Sequence, residues 1–414
     1  MTESIIATYR IQTYFALEHA AEVLASEQSS GTFVAVPGET TELRDRHGAR
    51  ILGIDEIESG DRPLPGTSRP GPDSRLRAGI VKLAFPLANV GTSLSTLMTT
   101  VAGNLFELRE LGGVRLLSVE VPPRFTAEYG GPRFGIPGTR ELIGVDDRPL
   151  IGTIIKPNVG LAIEDHALLV RELVAAGVDF IKDDELIADP PYSPVAERAR
   201  AVMREIHESA DRIGKKAMYA FNITDDIDKM EAHAEAVRSV GGTCVMVCIN
   251  TVGFAGLAHI AERAGLPVHG HRAMLGAMMR HPDLGVDFQA FQTFARIAGV
   301  DHLHTNGFGN KFYETDDDVE RSIHAVQQPL EGTRGVLPVL SSAQWAGTVP
   351  TTWERVRSRD LLMVAGGGIL GHPDGVAAGV RSLHSAWRAT LAGESLAAAG
   401  TKDAALRRAL ETFS

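Results

Sequence analysis

Cysteine is nearly missing from this chain: there are two in 414 residues, Cys244 and Cys248. They sit four apart in Cys-Val-Met-Val-Cys, as on one face of a buried strand, so neither a disulfide nor a cysteine metal pair is expected. A reducing cytoplasm is the expected setting. No apolar run is long enough to span a bilayer, and Met1-Thr2-Glu3-Ser4 opens without a signal-peptide pattern. Positive charge is in deficit, with 41 Lys and Arg against 52 Asp and Glu and a net charge of −11. Nucleic acid and anionic membranes are therefore not expected as partners. There is no repeat of fixed short period and no low-complexity tail. What remains is ordinary for a globular protein: 44% apolar and 22% charged residues, with chain enough for two domains and a large core.

The first part of the chain mixes strands and helices without regular alternation. Strands are expected at 5–13, through Val36, near 50–57, 77–86 and 114–121, and helices at 16–26 and 93–103. That pattern predicts an α+β domain over 1–125. Residues 60–74 read as a loop, and 122–138, with four prolines, as a linker. From residue 150 apolar strands alternate with helices. The strand candidates are 150–156, 178–184, 217–223, 244–250, 267–274, 302–306, 336–341 and 361–365. Helical stretches follow most of them, with a weaker one at 350–357. The spacing predicts a (β/α)8 barrel over 126–414, whose site lies at the C-terminal ends of its strands.

Chemistry-bearing residues crowd those ends. Lys156-Pro157-Asn158 follows the first strand, Lys182-Asp183-Asp184-Glu185 the second and Asn222 the third. His269-Gly270-His271-Arg272 closes the fifth. His302-Leu303-His304, then Lys311, mark the sixth, Ser341-Ser342 the seventh, and Gly366-Gly367-Gly368 the eighth. Of His302 and His304, only His304 is expected to reach the lumen. The glycine run lets backbone N–H groups approach an anion. Arg272, with His304 and Ser341, offers a second anion site.

The stretch Phe180-Ile181-Lys182-Asp183-Asp184-Glu185 has the most to explain. Buried charges are costly unless paired or bound to metal. Lys182 and Asp184 share a face, and Glu185 joins them where the strand runs out. A neutral lysine amine adds CO2 to become an anionic carbamate, and Lys182, Asp184 and Glu185 would then hold Mg2+ through oxygen. The alternative is a surface turn closed by a salt bridge.

Four ordered motifs resemble the large chain of ribulose-bisphosphate carboxylase: Thr153–Leu161, Gly177–Glu185, His271–Met274 and Gly366–Pro373. The resemblance runs in order through nearly the whole chain, including Glu27–Phe33 and Gly103-Asn104, and the first domain is expected to be ferredoxin-like. It implies that Lys182 is the carbamylated lysine and that Asp184 and Glu185 are the other Mg2+ ligands. Lys156 would be the acid/base lysine, and Lys311 the mobile-loop lysine beside CO2 or the leaving carboxylate. His271 would be a hydrogen-bonding, proton-relaying histidine. Arg272, His304 and Ser341 would form one phosphate site; Thr32, Gly366 and Gly367 would form the other. Glu27 and Asn104 would close the site of a neighbouring subunit, which implies a homodimer with shared active sites.

The chain departs from the true carboxylase at Asn158 (lysine there), Phe33 (tryptophan), Leu275 (histidine), Ile154 (threonine) and Ser342-Ala343 (paired glycines). These changes argue against CO2 fixation on the bisphosphate and for a carboxylase-like protein that kept its metal apparatus. Methionine-salvage members are similar but place a lysine where Asn104 stands. Keeping Lys156 and Lys311 together suits cleavage of a C–C bond to a carboxylate. The resemblance thus implies decarboxylation, through an enediolate, of 3-oxo-isoapionate 4-phosphate, the β-keto acid of D-apiose breakdown. Transcarboxylation/hydrolysis of the same compound comes next, then the enolase or isomerase chemistry of methionine salvage.

Overall fold

The computed structural model describes residues 3–31, 36–60 and 62–414. These form two compact units, residues 1–130 with 274–297, and residues 131–273 with 298–414.

The first unit is built on a mixed sheet. Its strands are β1 (Ser4–Thr13), β2 (Arg50–Ile57), β3 (Arg77–Pro86) and β4 (Leu111–Glu120). Ile5, Ala7, Tyr9 and Ile11 of β1 are fully buried, the period-two pattern of a strand with one face in the core. β1 pairs antiparallel with both β3 and β4, and β2 pairs with β3. The expected strand through Val36 falls on residues 32–35, outside the described ones. The expected linker is largely helical: Pro123–Tyr129 and Gly135–Ile143 are helices. Proline is tolerated in a first turn, where its missing N–H has no partner to lose.

The second unit is a closed, all-parallel barrel of eight strands, as the spacing predicts. Its first strands are β5 (Leu150–Ile154), β6 (Phe180–Lys182), β7 (Met218–Asn222), β8 (Cys244–Cys248) and β9 (Val268–His271). The chain then leaves the barrel to make β10 (Leu284–Val286), a strand of the first unit that pairs in parallel with β4. It returns to complete the barrel with β11 (His302–Asn306), β12 (Leu337–Ser341) and β13 (Leu362–Val364). Both cysteines are buried and free on β8.

The barrel interior is a packed core. Leu150, Phe180, Met218, Ala220, Cys244, Met246, Leu337, Val339, Leu362 and Val364 form one buried cluster, and Ile143 packs with them. Asp301, just before β11, accepts the backbone N–H groups of Phe134 (2.7 Å), Gly135 (2.7 Å) and Val268 (2.8 Å). That carboxylate pins the helix Gly135–Ile143 beneath the barrel floor.

His302 corrects an expectation. It faces the lumen, as His304 does. Its ring centroid lies 5.9 Å from Phe180 and 5.7 Å from His269, and its Nε2 is 2.7 Å from Thr139 Oγ1. Residues two apart on a strand share a face, so the alternation that brings His304 inward brings His302 too, one layer lower.

Candidate active site

The C-terminal end of β6 carries the densest charge. Lys182, Asp183 and Asp184 are all fully buried, so this is no surface turn. The Lys182 ammonium lies 2.7 Å from the Asp183 carbonyl and 3.4 Å from Glu185 Oε2. Burial pushes its pKa below the usual lysine value, against the pull of Glu185 and Asp184.

The two adjacent aspartates have different tasks. Asp183 accepts from Arg198 Nε (3.2 Å) and Nη2 (3.1 Å), from Tyr219 Oη (2.6 Å) and from the Asn222 N–H (2.9 Å). It is satisfied within the barrel wall and has little left for a ligand. Asp184 instead meets the Lys156 ammonium at 2.5 Å and the Leu186 N–H at 3.1 Å. Asn158 Oδ1 holds the same ammonium at 2.9 Å. Asn222, at the end of β7, donates to the carbonyls of Asp184 and Glu185, both at 3.2 Å, and so fixes the turn that presents them.

His271 lies beside this group, its Nε2 3.5 Å from Glu185 Oε2. Its Nδ1 accepts the Ala273 N–H at 3.2 Å, which leaves the proton on Nε2, aimed at the carboxylate. Burial, with the Lys182 charge next, lowers the His271 pKa and keeps the ring neutral. For Glu185 burial alone would raise the pKa, but the His271 Nε2–H, the Lys182 amine, a backbone N–H and the Lys156 ammonium together outweigh it and bring the carboxyl down to about 2. Lys182, Asp184, Glu185, Lys156 and His271 are thus brought together.

Across the barrel mouth, His304 Nδ1 is 3.2 Å from Ser341 Oγ and its Nε2 is 2.8 Å from His269 Nε2. The His271 and His304 rings are 4.5 Å apart between centroids. Burial holds His304 and His269 far below the ordinary histidine value. Arg272 is already engaged: Nη1 lies 3.2 Å from Glu314 Oε1, and Nη2 contacts Oε2. Glu314 has no mark in the sequence beyond being one acid in an acidic stretch, and was missed there.

Gly366 and Gly367 follow β13, and a Cβ on either would meet nothing within 4 Å. Their backbone therefore faces open space. Ser342 and Ala343, by contrast, hold φ of 72° and 56°, the left-handed region that glycine occupies at no steric cost. Lys311 is exposed on the loop after β11, its ammonium 5.4 Å from the Phe312 ring centroid. In the first unit, Glu27 ends the helix Leu17–Glu27 and Asn104 begins the short turn Asn104–Glu107. Gln28 lies between the two segments; with its amide turned to satisfy both ends, its oxygen accepts from the N–H groups of Asn104 and Leu105 at 3.2 Å. Thr32 and Phe33 lie outside the described residues.

A closed parallel barrel with its ionisable groups gathered at the C-terminal strand ends places the molecule among barrel proteins that work from that face. The sequence pattern of the ribulose bisphosphate carboxylase large chain, catalytic domain, matches residues 135–413, and that of its N-terminal domain matches residues 1–125. The chain belongs to the ribulose bisphosphate carboxylase large chain family. It is 48% identical over 413 residues to a 3-oxo-isoapionate-4-phosphate transcarboxylase/hydrolase of Xanthobacter autotrophicus, covering 99% of each chain. It is 44% identical over 392 residues to a 3-oxo-isoapionate-4-phosphate decarboxylase of Rhizobium etli, covering 94% of each. The crystal structure of a rubisco-like protein from Burkholderia fungorum superposes with a TM-score of 0.92 at 47% identity, covering 99% of this chain and all of that one.

Proposed function

We propose that the chain is an enzyme that breaks the bond between the carboxylate and the neighbouring carbon of 3-oxo-isoapionate 4-phosphate, releasing CO2, in D-apiose catabolism. The observation that carries this reading is likeness along almost the full chain to proteins named for that substrate, 48% and 44% identical. The gathering of Lys182, Asp184, Glu185 and Lys156 at the barrel mouth supports it.

The residues fit Mg2+. Lys182 has no exposed surface, and burial favours its neutral amine, the form that adds CO2 to give a carbamate. That carbamate, Asp184 and Glu185 are hard oxygen donors on one rim. Mg2+, when bound, would polarise the substrate ketone as a Lewis acid.

The chain's own groups supply the rest. Backbone N–H groups at Gly366 and Gly367, with Thr32, take the phosphate. Arg272, His304 and Ser341 hold the far end, and His271 hydrogen-bonds near the reacting carbons. Lys311 steadies the departing carboxylate as its bond breaks and the electron pair stays on carbon as an enediolate. The Lys156 ammonium then gives its proton to that carbon. Glu27 and Asn104 of a second copy close the site, so the active form is a homodimer, which sedimentation at working concentration tests.

A second reading is favoured by the 48% relative, which is named transcarboxylase/hydrolase. Substrate labelled with 13C in the carboxylate separates the two: decarboxylation puts the label in CO2, and transfer with hydrolysis keeps it in an organic acid. The wider test offers ribulose bisphosphate, the keto acid phosphate and the thio-sugar diketone phosphate of methionine salvage, each with Mg2+ and bicarbonate. CO2 release from the keto acid, without carbon fixation on the bisphosphate, is the expected result. Robust carboxylation would overturn the proposal, and turnover of the thio-sugar compound alone would move the enzyme to methionine salvage.

A further inference from the structure

We propose that Glu314 sets the charge of the subsite formed by Arg272, His304 and Ser341, so that this subsite takes an uncharged, hydroxyl-bearing end of the substrate and turns away a second phosphate. The inference rests on the reading of the barrel mouth as the substrate site and narrows it to monophosphates.

The guanidinium of Arg272 and the carboxylate of Glu314 meet through two N–H···O contacts, with side chains 14% and 2% exposed. Such a bidentate pair cancels the charge that would attract a phosphate, which carries about −1.5 to −2 at neutral pH. Glu314 is held from other sides as well, through both its carboxylate and its backbone. Asn306 Nδ2 donates to its Oε2, and Asn310 Nδ2 donates to the Glu314 carbonyl at 3.2 Å. The next residue, Thr315, caps the helix Asp316–Gln327 through a reciprocal pair with Asp318. Glu314 is therefore fixed at a helix entrance and does not ride on a free loop tip.

The other two members of the subsite add no positive charge. His304 is kept neutral by burial, and Ser341 is a hydroxyl. A phosphate entering here would have to draw Arg272 from a buried carboxylate and leave that carboxylate uncompensated. A hydroxyl faces no such conflict: it accepts from Arg272 and donates to Glu314 or Ser341. Gly366 and Gly367 present no side chain at all, so the single dianion belongs there.

The test measures binding to the full-length protein by calorimetry, with Mg2+ and bicarbonate present, using ribulose 1,5-bisphosphate and ribulose 5-phosphate as probes. In the native protein the second phosphate is expected to improve affinity by less than about fivefold. In Glu314→Gln the bisphosphate should bind at least about tenfold more tightly than in the native protein, with the monophosphate unchanged. Glu314→Asp, which keeps the charge, should follow the native protein. The proposal is overturned by a native preference for the bisphosphate above fivefold. It is equally overturned if Glu314→Gln tightens neither probe or both alike, or if Glu314→Asp behaves as Glu314→Gln. Should Glu314→Gln fail to fold, the native ratio decides alone. These readouts are affinities, so they stand apart from whether the keto acid is decarboxylated.

Discussion

Lys182 is an amine shut away from water, and two consequences separate it from Lys156. Its desolvated, pKa-lowered amine is suited to react with CO2, and the carbamate would place a third anionic oxygen beside Asp184 and Glu185. Lys182→Ala is therefore expected to abolish both Mg2+ binding and turnover, and native enzyme stripped of CO2 and bicarbonate should be inactive until they are restored. Full activity in decarbonated buffer would sink this. Lys156 is a third exposed and bonded to the Asp184 carboxylate at 2.5 Å, where it competes with a cation. Lys156→Ala should lower the rate by about 10²–10⁴ while Mg2+ affinity, read by calorimetry, stays level or tightens. A parallel loss of Mg2+ binding would make Lys156 a structural partner of Asp184. Lys182 was legible in the sequence because charges crowded behind an apolar lead demand an explanation, and Lys156 because it follows the first barrel strand in a motif that resembles the carboxylase. Glu314 was not, because its partner Arg272 lies 42 residues away and no spacing links them.

Among the elements, the turn after β13 separates folding from binding. A Cβ at Gly368 would lie 2.5 Å from the Gln344 carbonyl oxygen and 2.7 Å from Trp345 Cβ, whereas one at Gly366 would meet nothing within 4 Å. Gly368→Ala should cost about 1–3 kcal/mol of stability through overpacking. Gly366→Ala should change stability by no more than about 0.5 kcal/mol yet raise KM for the phosphorylated substrate. Paired denaturation curves and KM values check this, and a Gly366→Ala protein with unaltered KM would remove the glycine backbone from the phosphate site. All eight barrel strands could be read from sequence, because buried parallel strands leave apolar runs between helices of regular length. Strand β10 could not, since three residues, Leu284–Val286, are too short for any periodicity. The helix Pro123–Tyr129 was hidden by its own proline, which reads as a breaker unless it is known to stand in a first turn.

At the scale of the whole molecule, buried histidine makes the barrel sensitive to acid. Burial lowers the pKa of His166 to about 4 and of His302 to about 3, and holds His269 and His304 well below the ordinary value. In each case the folded pKa lies under the unfolded one. The unfolded chain therefore binds more protons as pH drops below about 6.5, and stability falls with pH until the folded pKa is passed. By pH 5 His166 and His302 should each remove about 2 kcal/mol relative to pH 8. Denaturant midpoints across this range should fall steeply, and His166→Gln should flatten the slope by one proton. A midpoint that does not move between pH 8 and 5 would show that these rings titrate normally in the fold.

Strand β10 also decides how the polypeptide can be divided. Residues 274–297 belong with residues 1–130, yet they are encoded between β9 and β11. During synthesis, β4 leaves the ribosome with one side unpaired, and its partner follows only after five barrel strands, β5 to β9, have been made. No single cut releases either unit entire: severing the chain near residue 130 strips the first sheet of its edge, and severing it after residue 297 leaves the barrel three strands short. A gene fusion or exchange that treats the N-terminal segment as a detachable module would therefore have to carry a second piece taken from inside the barrel.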